Sequence, residues 1–327
     1  MTHPLIDELR LPVVAAPMFL VSGPELVVAA STAGVLGAFP TPNCRTVEQL
    51  DGWLDTITRQ LRDAGRRAET GAVAPWAVNL VTHRTNTRLA QDLKLVAEYQ
   101  PPVVITALGS PKPVMEVVHG YGGLVIADVV NLALARKAAA AGVDGMACVS
   151  AGAGGHTGHL SPFAFISSIR SFFDGIITVG GGISDGRGIA GAIAAGADLV
   201  YMGTRFLTTD ESMAVEAYKQ MVVDSGTDDV MVSDRITGTD ASWLRPSLVA
   251  NGMDPDNLVA PAARNYDTED AGAHKKWKDI WAAGQGLGSI RAVEPVSVVV
   301  DQLEAEYRAA VERFSALTSV ATVTQAG

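Results

Sequence analysis

Eight short apolar runs recur along the chain, each followed by a longer stretch with the chemistry of a helix or turn. The runs cover residues 13–18, 35–40, 76–81, 103–109, 124–130, 146–151, 176–182 and 199–206. They are nearly continuous in Val, Ile, Leu and Ala. Strands buried on both faces have this composition, as in a parallel sheet covered by helices. Eight such units predict the α/β class and a (β/α)8 barrel. A doubly wound sheet is the alternative, because a linear pattern does not show closure.

The segments between the runs support that reading. Residues 46–67 place Val47, Leu50, Leu54, Ile57 and Leu61 three and four apart, the spacing of one helical face. Ser161-Pro162 reads as a helix N-cap and first residue, and Gly142 as the stop after the Ala-rich stretch 131–141. The beat ends near Val223. Residues 224–270 are rich in Gly and Pro and are expected to form a lid or small helical and loop subdomain, with Trp243, Leu244, Leu248 and Met253 as its apolar cluster. The barrel would then comprise residues 1–223 and 271–327. Its tail, residues 295–317, spaces Leu303, Tyr307, Ala310, Phe314 and Leu317 as a helix that packs back on the barrel.

Composition narrows the function classes. Apolar residues make up 48% and charged residues 18%, so the chain has a large core and is not a disordered segment. The net charge of −10 argues against a nucleic-acid partner, which needs a basic face. Residues 26–44 carry no charge, but Gly34, Gly37, Pro40 and Pro42 make a membrane span improbable. The start lacks a basic n-region, so no signal peptide is read. Two distant cysteines, Cys44 and Cys148, form no disulfide framework and no metal motif, which fits a reducing, cytoplasmic setting.

Two glycine clusters follow the last two runs: Gly180-Gly181-Gly182 and Met202-Gly203-Thr204-Arg205. In barrels the loops after strands seven and eight often hold a phosphate. Glycine lets backbone come close to an anion, and Thr204 and Arg205 add a hydroxyl and a charge. The plainer alternative is a pair of tight turns. No GxxxxGK(S/T) motif occurs, so a P-loop site lacks its signature. A second glycine-rich loop, Gly152-Ala153-Gly154-Gly155-His156-Thr157-Gly158, follows run six. It presents His156, which titrates near neutrality and can move a proton. His159 is its neighbour and decoy; His3, His83, His119 and His274 read as structural or surface groups.

None of the seven lysines ends a run, which disfavours a Schiff-base enzyme. Asp128 is the one carboxylate well placed at a run's end, and a magnesium barrel needs several. A phosphate grip with one accessible histidine and few charges suits a site in which an organic cofactor carries the chemistry.

These residues resemble a family. Val14-Ala15-Ala16-Pro17-Met18, Val78-Asn79-Leu80, the stretch from Ala153 to Gly158, Gly180–Gly182 and Met202-Gly203-Thr204-Arg205 together look like the nitronate monooxygenases, formerly 2-nitropropane dioxygenases. Their superfamily includes flavin-dependent enoyl-ACP reductases and NADH:quinone reductases. The resemblance spans residues 13–288. It implies an FMN-containing barrel with a small extra domain. It places the FMN phosphate on Gly181, Gly182, Gly203 and Thr204. Ala16, Pro17 and Met18 would line the flavin ring and Asn79 would bond to it. Gly154 would approach it closely, and Gln285 and Gly286 would close over it. Ser150 and Asp128 are further candidates for the cofactor site, and His156 matches the catalytic histidine. The implied reaction oxidises an alkyl nitronate with O2 to a carbonyl compound and nitrite, with His156 as base or anion-orienting group. The chain departs from many members by carrying Val149-Ser150-Ala151-Gly152 where a Gln and a Glu are usual. The Gly152-Ala153-Gly154-Gly155-His156 form, with Trp277-Lys278-Asp279-Ile280-Trp281, also looks like a branch acting on CoA thioesters. The alternative is therefore a reductase or dehydrogenase of acyl- or enoyl-thioesters, or a quinone reductase. A homodimer is compatible with the apolar composition.

Overall fold

The computed structural model describes residues 4–67, 73–259 and 277–319. His3, His274, Lys275, Lys276, the boundary at residue 271 and residues 260–270 of the expected lid lie outside them.

Eight parallel strands close into a barrel: β1 (Val13–Ala15), β2 (Leu36–Pro40), β3 (Trp76–Val81), β4 (Val103–Ala107), β5 (Leu124–Val129), β6 (Gly145–Val149), β8 (Ile176–Gly180) and β9 (Leu199–Met202). Closure is made by β9 against β1, with Val14 opposite Tyr201. Each expected run supplies one barrel strand. The short β7 (Gly155–His156) lies between β6 and β8 in sequence but outside the barrel.

The helices are α1 (Pro4–Asp7), α2 (Pro24–Ala33), α3 (Val47–Arg67), α4 (Leu89–Tyr99), α5 (Lys112–Gly120), α6 (Leu132–Ala141), α7 (Pro162–Arg170), α8 (Gly186–Ala194), α9 (Thr204–Leu207), α10 (Glu216–Asp224), α11 (Arg245–Ala250) and α12 (Val296–Ser319). Local chemistry sets their ends. Asn131 caps α6 by accepting from the Leu134 N–H, and Gly142 ends it with φ of 82°. Ser161 caps α7, with Pro162 in its first turn. In α3 the buried stripe is Leu50, Leu54, Ile57 and Leu61, which lies against the barrel as the periodicity predicts.

The pleat sorts strand residues into two sets. Val78, Val104, Val125 and Ile177 face the helices. Val14, Ala38, Ile105, Ile126 and Ala147 fill the barrel interior. The interior set continues two residues further along alternate strands to Ala16, Asn79, Asp128 and Thr178. The barrel interior is therefore aliphatic below and polar near the C-terminal mouth.

The segment after α10 differs from the expected helical and loop reading. It carries β10 (Val230–Ser233) and β11 (Ala241–Leu244), an antiparallel pair extended by β7 into a three-stranded sheet. Alternation along β11 also splits the expected apolar cluster. Trp243, Leu248 and Met253 pack together with Ile236 and Ile280, whereas Leu244 turns to the other face with Leu287 and Ile290. The last helix departs as well. Leu303 is buried and Tyr307 packs on the barrel, but Phe314 and Leu317 are exposed because α12 runs past the barrel surface.

Candidate active site

The barrel mouth is built from strand ends and from the segment 282–289. Gly181 and Gly182 follow β8 with positive φ of 147° and 69°, conformations that favour glycine. A Cβ on Gly181 would lie 2.5 Å from the Ala151 carbonyl oxygen, so no side chain fits there. A Cβ on Gly182 would meet nothing nearer than Gln285 Cβ at 3.8 Å, and one on Gly203 nothing nearer than Met18 Sδ at 3.5 Å. Gly182 and Gly203 therefore have room for a side chain that Gly181 lacks. Thr204 Oγ1 accepts from the Gly284 N–H at 2.9 Å, and the Gln285 N–H donates to the Gly152 carbonyl at 2.9 Å. The Gly286 carbonyl accepts from Ser184 Oγ at 2.5 Å. The late segment is thereby sewn to both glycine clusters. Gly154 packs against it, since a Cβ there would lie 2.7 Å from Gly284 N.

The first turn of α8 is already satisfied, by Asp185 at Gly188 N and by Glu306 at Gly186 N, each within 2.8 Å. Space beside a backbone free of side chains lies at Gly182, in the turn before it. Arg205 does not reach that space. Its guanidinium is buried and donates through Nη2 to Glu294 (3.1 Å) and to Gln302 of α12 (2.6 Å).

On the other side, Ala16, Pro17 and Met18 form the loop after β1. Asn43, in a 3-10 turn over Thr41–Asn43, holds this loop in place. It accepts from the Leu20 N–H at 2.7 Å and donates to the carbonyls of Met18 and Ser22 at 3.0 and 2.7 Å. Leu20 sits at φ of 62°, unusual for a branched residue. Arg88 in turn donates to the carbonyls of Thr41 and Cys44 and pairs with the fully buried Asp92 at 2.9 Å. The sequence gives no sign of Asn43; an Asn followed by Cys in a Pro-rich turn carries no motif.

Beneath the mouth three buried polar atoms lack partners: Asp128 Oδ1, Thr178 Oγ1 and Tyr201 OH. Buried polar atoms rarely stay unpaired, so these mark a place for polar company. Burial pushes the Asp128 carboxyl up to about 7, and its charge adds to the burial that raises the Tyr201 phenol. Asn79 is buried, with only a long 3.4 Å bond to the Ile105 carbonyl. Ser150 is wholly buried; its hydroxyl returns to the Cys148 carbonyl at 3.4 Å. Both thiols are buried and pushed up to about 12, so neither is a ready nucleophile.

His156 stands at the rim on β7, paired with Ala241 of β11. It is exposed to solvent, yet the surrounding protein penalises its charged form and lowers its pKa. Its ring lies 5.0 Å from that of Trp277. No hydrogen-bond partner of its ring nitrogens is found among the described residues. The other described histidines are engaged: His83 with Thr85 at 2.8 Å, His119 with Asp144 at 2.8 Å and His159 with Asp240 at 3.1 Å. An unpaired, largely neutral imidazole beside open space can accept a proton.

Residues 3–306 match the family profile described as nitronate monooxygenase. Among curated relatives, a (3aS,4S,5R,7aS)-5-hydroxy-7a-methyl-1-oxo-octahydro-1H-indene-4-carboxyl-CoA dehydrogenase of Rhodococcus jostii is 29% identical, covering 84% of this chain and 75% of its own. A nitronate monooxygenase of Paraburkholderia phytofirmans is 28% identical, covering 92% of this chain and 93% of its own. Among solved structures, FabK from Thermotoga maritima superposes with a TM-score of 0.76 at 23% identity, covering 96% of this chain and 97% of that one, which is a likeness of fold.

Proposed function

The chain belongs to the nitronate monooxygenase family, a flavin-dependent oxidoreductase family, and we propose that it is an FMN-dependent nitronate monooxygenase with His156 as its proton-moving residue. One observation carries the reading: an unpaired imidazole and a side-chain-free glycine cradle share one barrel mouth, with unpartnered polar atoms beneath it. That donor set fits a flavin mononucleotide. Gly181, Gly182, Gly203 and Thr204 would hold its phosphate. Ala16, Pro17 and Met18 would flank the ring, Asn79 and Asp128 would offer polar contacts from the barrel interior, and Gly154, Gln285 and Gly286 would close the site. Ser150 would support the cradle from behind, under Gly181. FMN would accept an electron from the substrate anion and, once reduced, would react with O2.

The chain's own residues do the remaining work. With a neutral nitroalkane, a ring nitrogen of His156 takes the α-carbon proton; its lowered pKa keeps it unprotonated near neutral pH. With a preformed nitronate, His156 orients the anion. The sheet of β7, β10 and β11 and the segment 277–289 form the rim, and we take the described part of the expected lid, residues 224–259, as the cover of this site. The test is oxygen uptake and nitrite release by the purified flavoprotein with a small alkyl nitronate. Bound flavin with neither would refute the assignment.

A second reading rests on the Rhodococcus relative, whose name gives it a carboxyl-CoA substrate, and on the stretch Val149-Ser150-Ala151-Gly152, which lacks the usual Gln and Glu. In that case an acyl- or enoyl-thioester, or NAD(P)H, changes the flavin spectrum where nitronates do not.

A further inference from the structure

We propose that Trp277, backed by Trp243, is a positioning residue that fixes the imidazole of His156 at the barrel mouth. The inference rests on reading His156 as the proton-moving group. His156 has no described hydrogen bond to orient its ring, so packing must do it. The Trp277 ring lies 5.0 Å from the imidazole at 53°, and Trp243 lies 4.6 Å behind Trp277 at 34°. Trp243 is wholly buried and donates through Nε1 to the Ser233 carbonyl at 3.3 Å, so the back of the stack is anchored in β10 and β11. Trp277 also packs over Gly155: a Cβ there would meet the indole at 3.7 Å.

Two features show that this placement is enforced. Trp277 has φ of 69°, a left-handed conformation that a bulky residue adopts only when its surroundings hold it. The chain after it is tied down. Asn251 Nδ2 donates to the Asp279 carbonyl at 2.9 Å, the Trp281 N–H donates to Ser247 Oγ at 2.8 Å, and Trp281 stacks on Tyr218 at 5.0 Å. From the β11 side, Ser242 Oγ donates to the Ala153 carbonyl at 2.6 Å and fixes the loop that carries His156. Of the charged side chains next to these residues in sequence, Asp240 is paired with His159 at 3.1 Å and Lys278 is exposed, so neither fixes the ring.

The test uses the flavin-loaded protein with isotope-labelled histidine. His156 ring signals are assigned by their loss in His156→Asn. The indole ring current should displace them, and Trp277→Leu should return them to ordinary positions. With a neutral nitroalkane, Trp277→Leu should lower kcat roughly 10–100-fold with little change in KM, and Trp277→Phe should restore most of it. Unchanged ring signals in Trp277→Leu overturn the proposal. So does a loss confined to KM, which would make Trp277 a substrate wall. If Trp277→Leu does not fold, Trp277→Phe carries the test, since its smaller ring current must still move the signals. A silent His156→Asn beside displaced ring signals would end the base reading and leave the clamp standing.

Discussion

At the scale of single residues, two ionisable groups carry the testable chemistry. His156 was legible in sequence because glycines surround it at a strand end, and the decoy His159 is accounted for by Asp240. Replacing His156 by Asn should leave cofactor content unchanged and slow turnover of a neutral nitroalkane by roughly 10²–10⁴-fold; equal rates would assign the ring a structural role. Since burial lowers its pKa, the acid limb of the wild-type pH–rate profile should lie below the ordinary imidazole value of about 6.5. Asp128 works in the opposite sense. Its carboxyl titrates at about 7 in the fold against 3.8 when free, so the folded chain keeps a proton that the unfolded chain loses. Its contribution is most favourable below 3.8 and is lost as pH rises through 7. Between those limits Asp128 should cost up to ~4 kcal/mol. Denaturant unfolding of the cofactor-free protein at pH 5 and pH 8 should show Asp128→Asn losing less stability with rising pH than wild type. Parallel curves would contradict a buried, unpartnered carboxyl.

At the scale of elements, what was legible followed from local rules. The caps Asn131, Ser161 and Gly142 and the stripe on α3 need only their neighbours in sequence. The hairpin of β10 and β11 did not show, because its strands are four residues long and flanked by Asp, Ser and Gly. Its third strand is Gly155–His156, whose register is set by tertiary pairing rather than by propensity. Asn43 was hidden for a similar reason: its three hydrogen bonds all run to a loop more than twenty residues earlier. Asn43→Ala should unpair the Leu20 N–H and two carbonyls and cost about 1–3 kcal/mol. The loop at Ala16–Met18 should then loosen, and cofactor should be lost on dialysis that wild type survives. Gly181→Val tests the cradle. With φ of 147° and a carbonyl 2.5 Å from the new Cβ, the loop must shift. The variant is expected to purify without cofactor; full retention would move the phosphate elsewhere.

At the scale of the whole molecule, the barrel was legible because strands buried on both faces cannot disguise their composition, and eight of them close in order. The site was legible where glycine was required and illegible where a side chain's direction decided. Arg205 belongs to the phosphate motif by sequence, yet it turns to Glu294 and Gln302 on the far side of α9. The central claim is that one mouth of this barrel joins a flavin grip to a proton-moving histidine for nitronate oxidation. The visible spectrum of the purified protein, mixed without oxygen with a small alkyl nitronate, tests it most directly. The account predicts flavin absorption that fades on mixing and returns, with nitrite, when air is admitted. Flavin absorption that the nitronate leaves unchanged would contradict it.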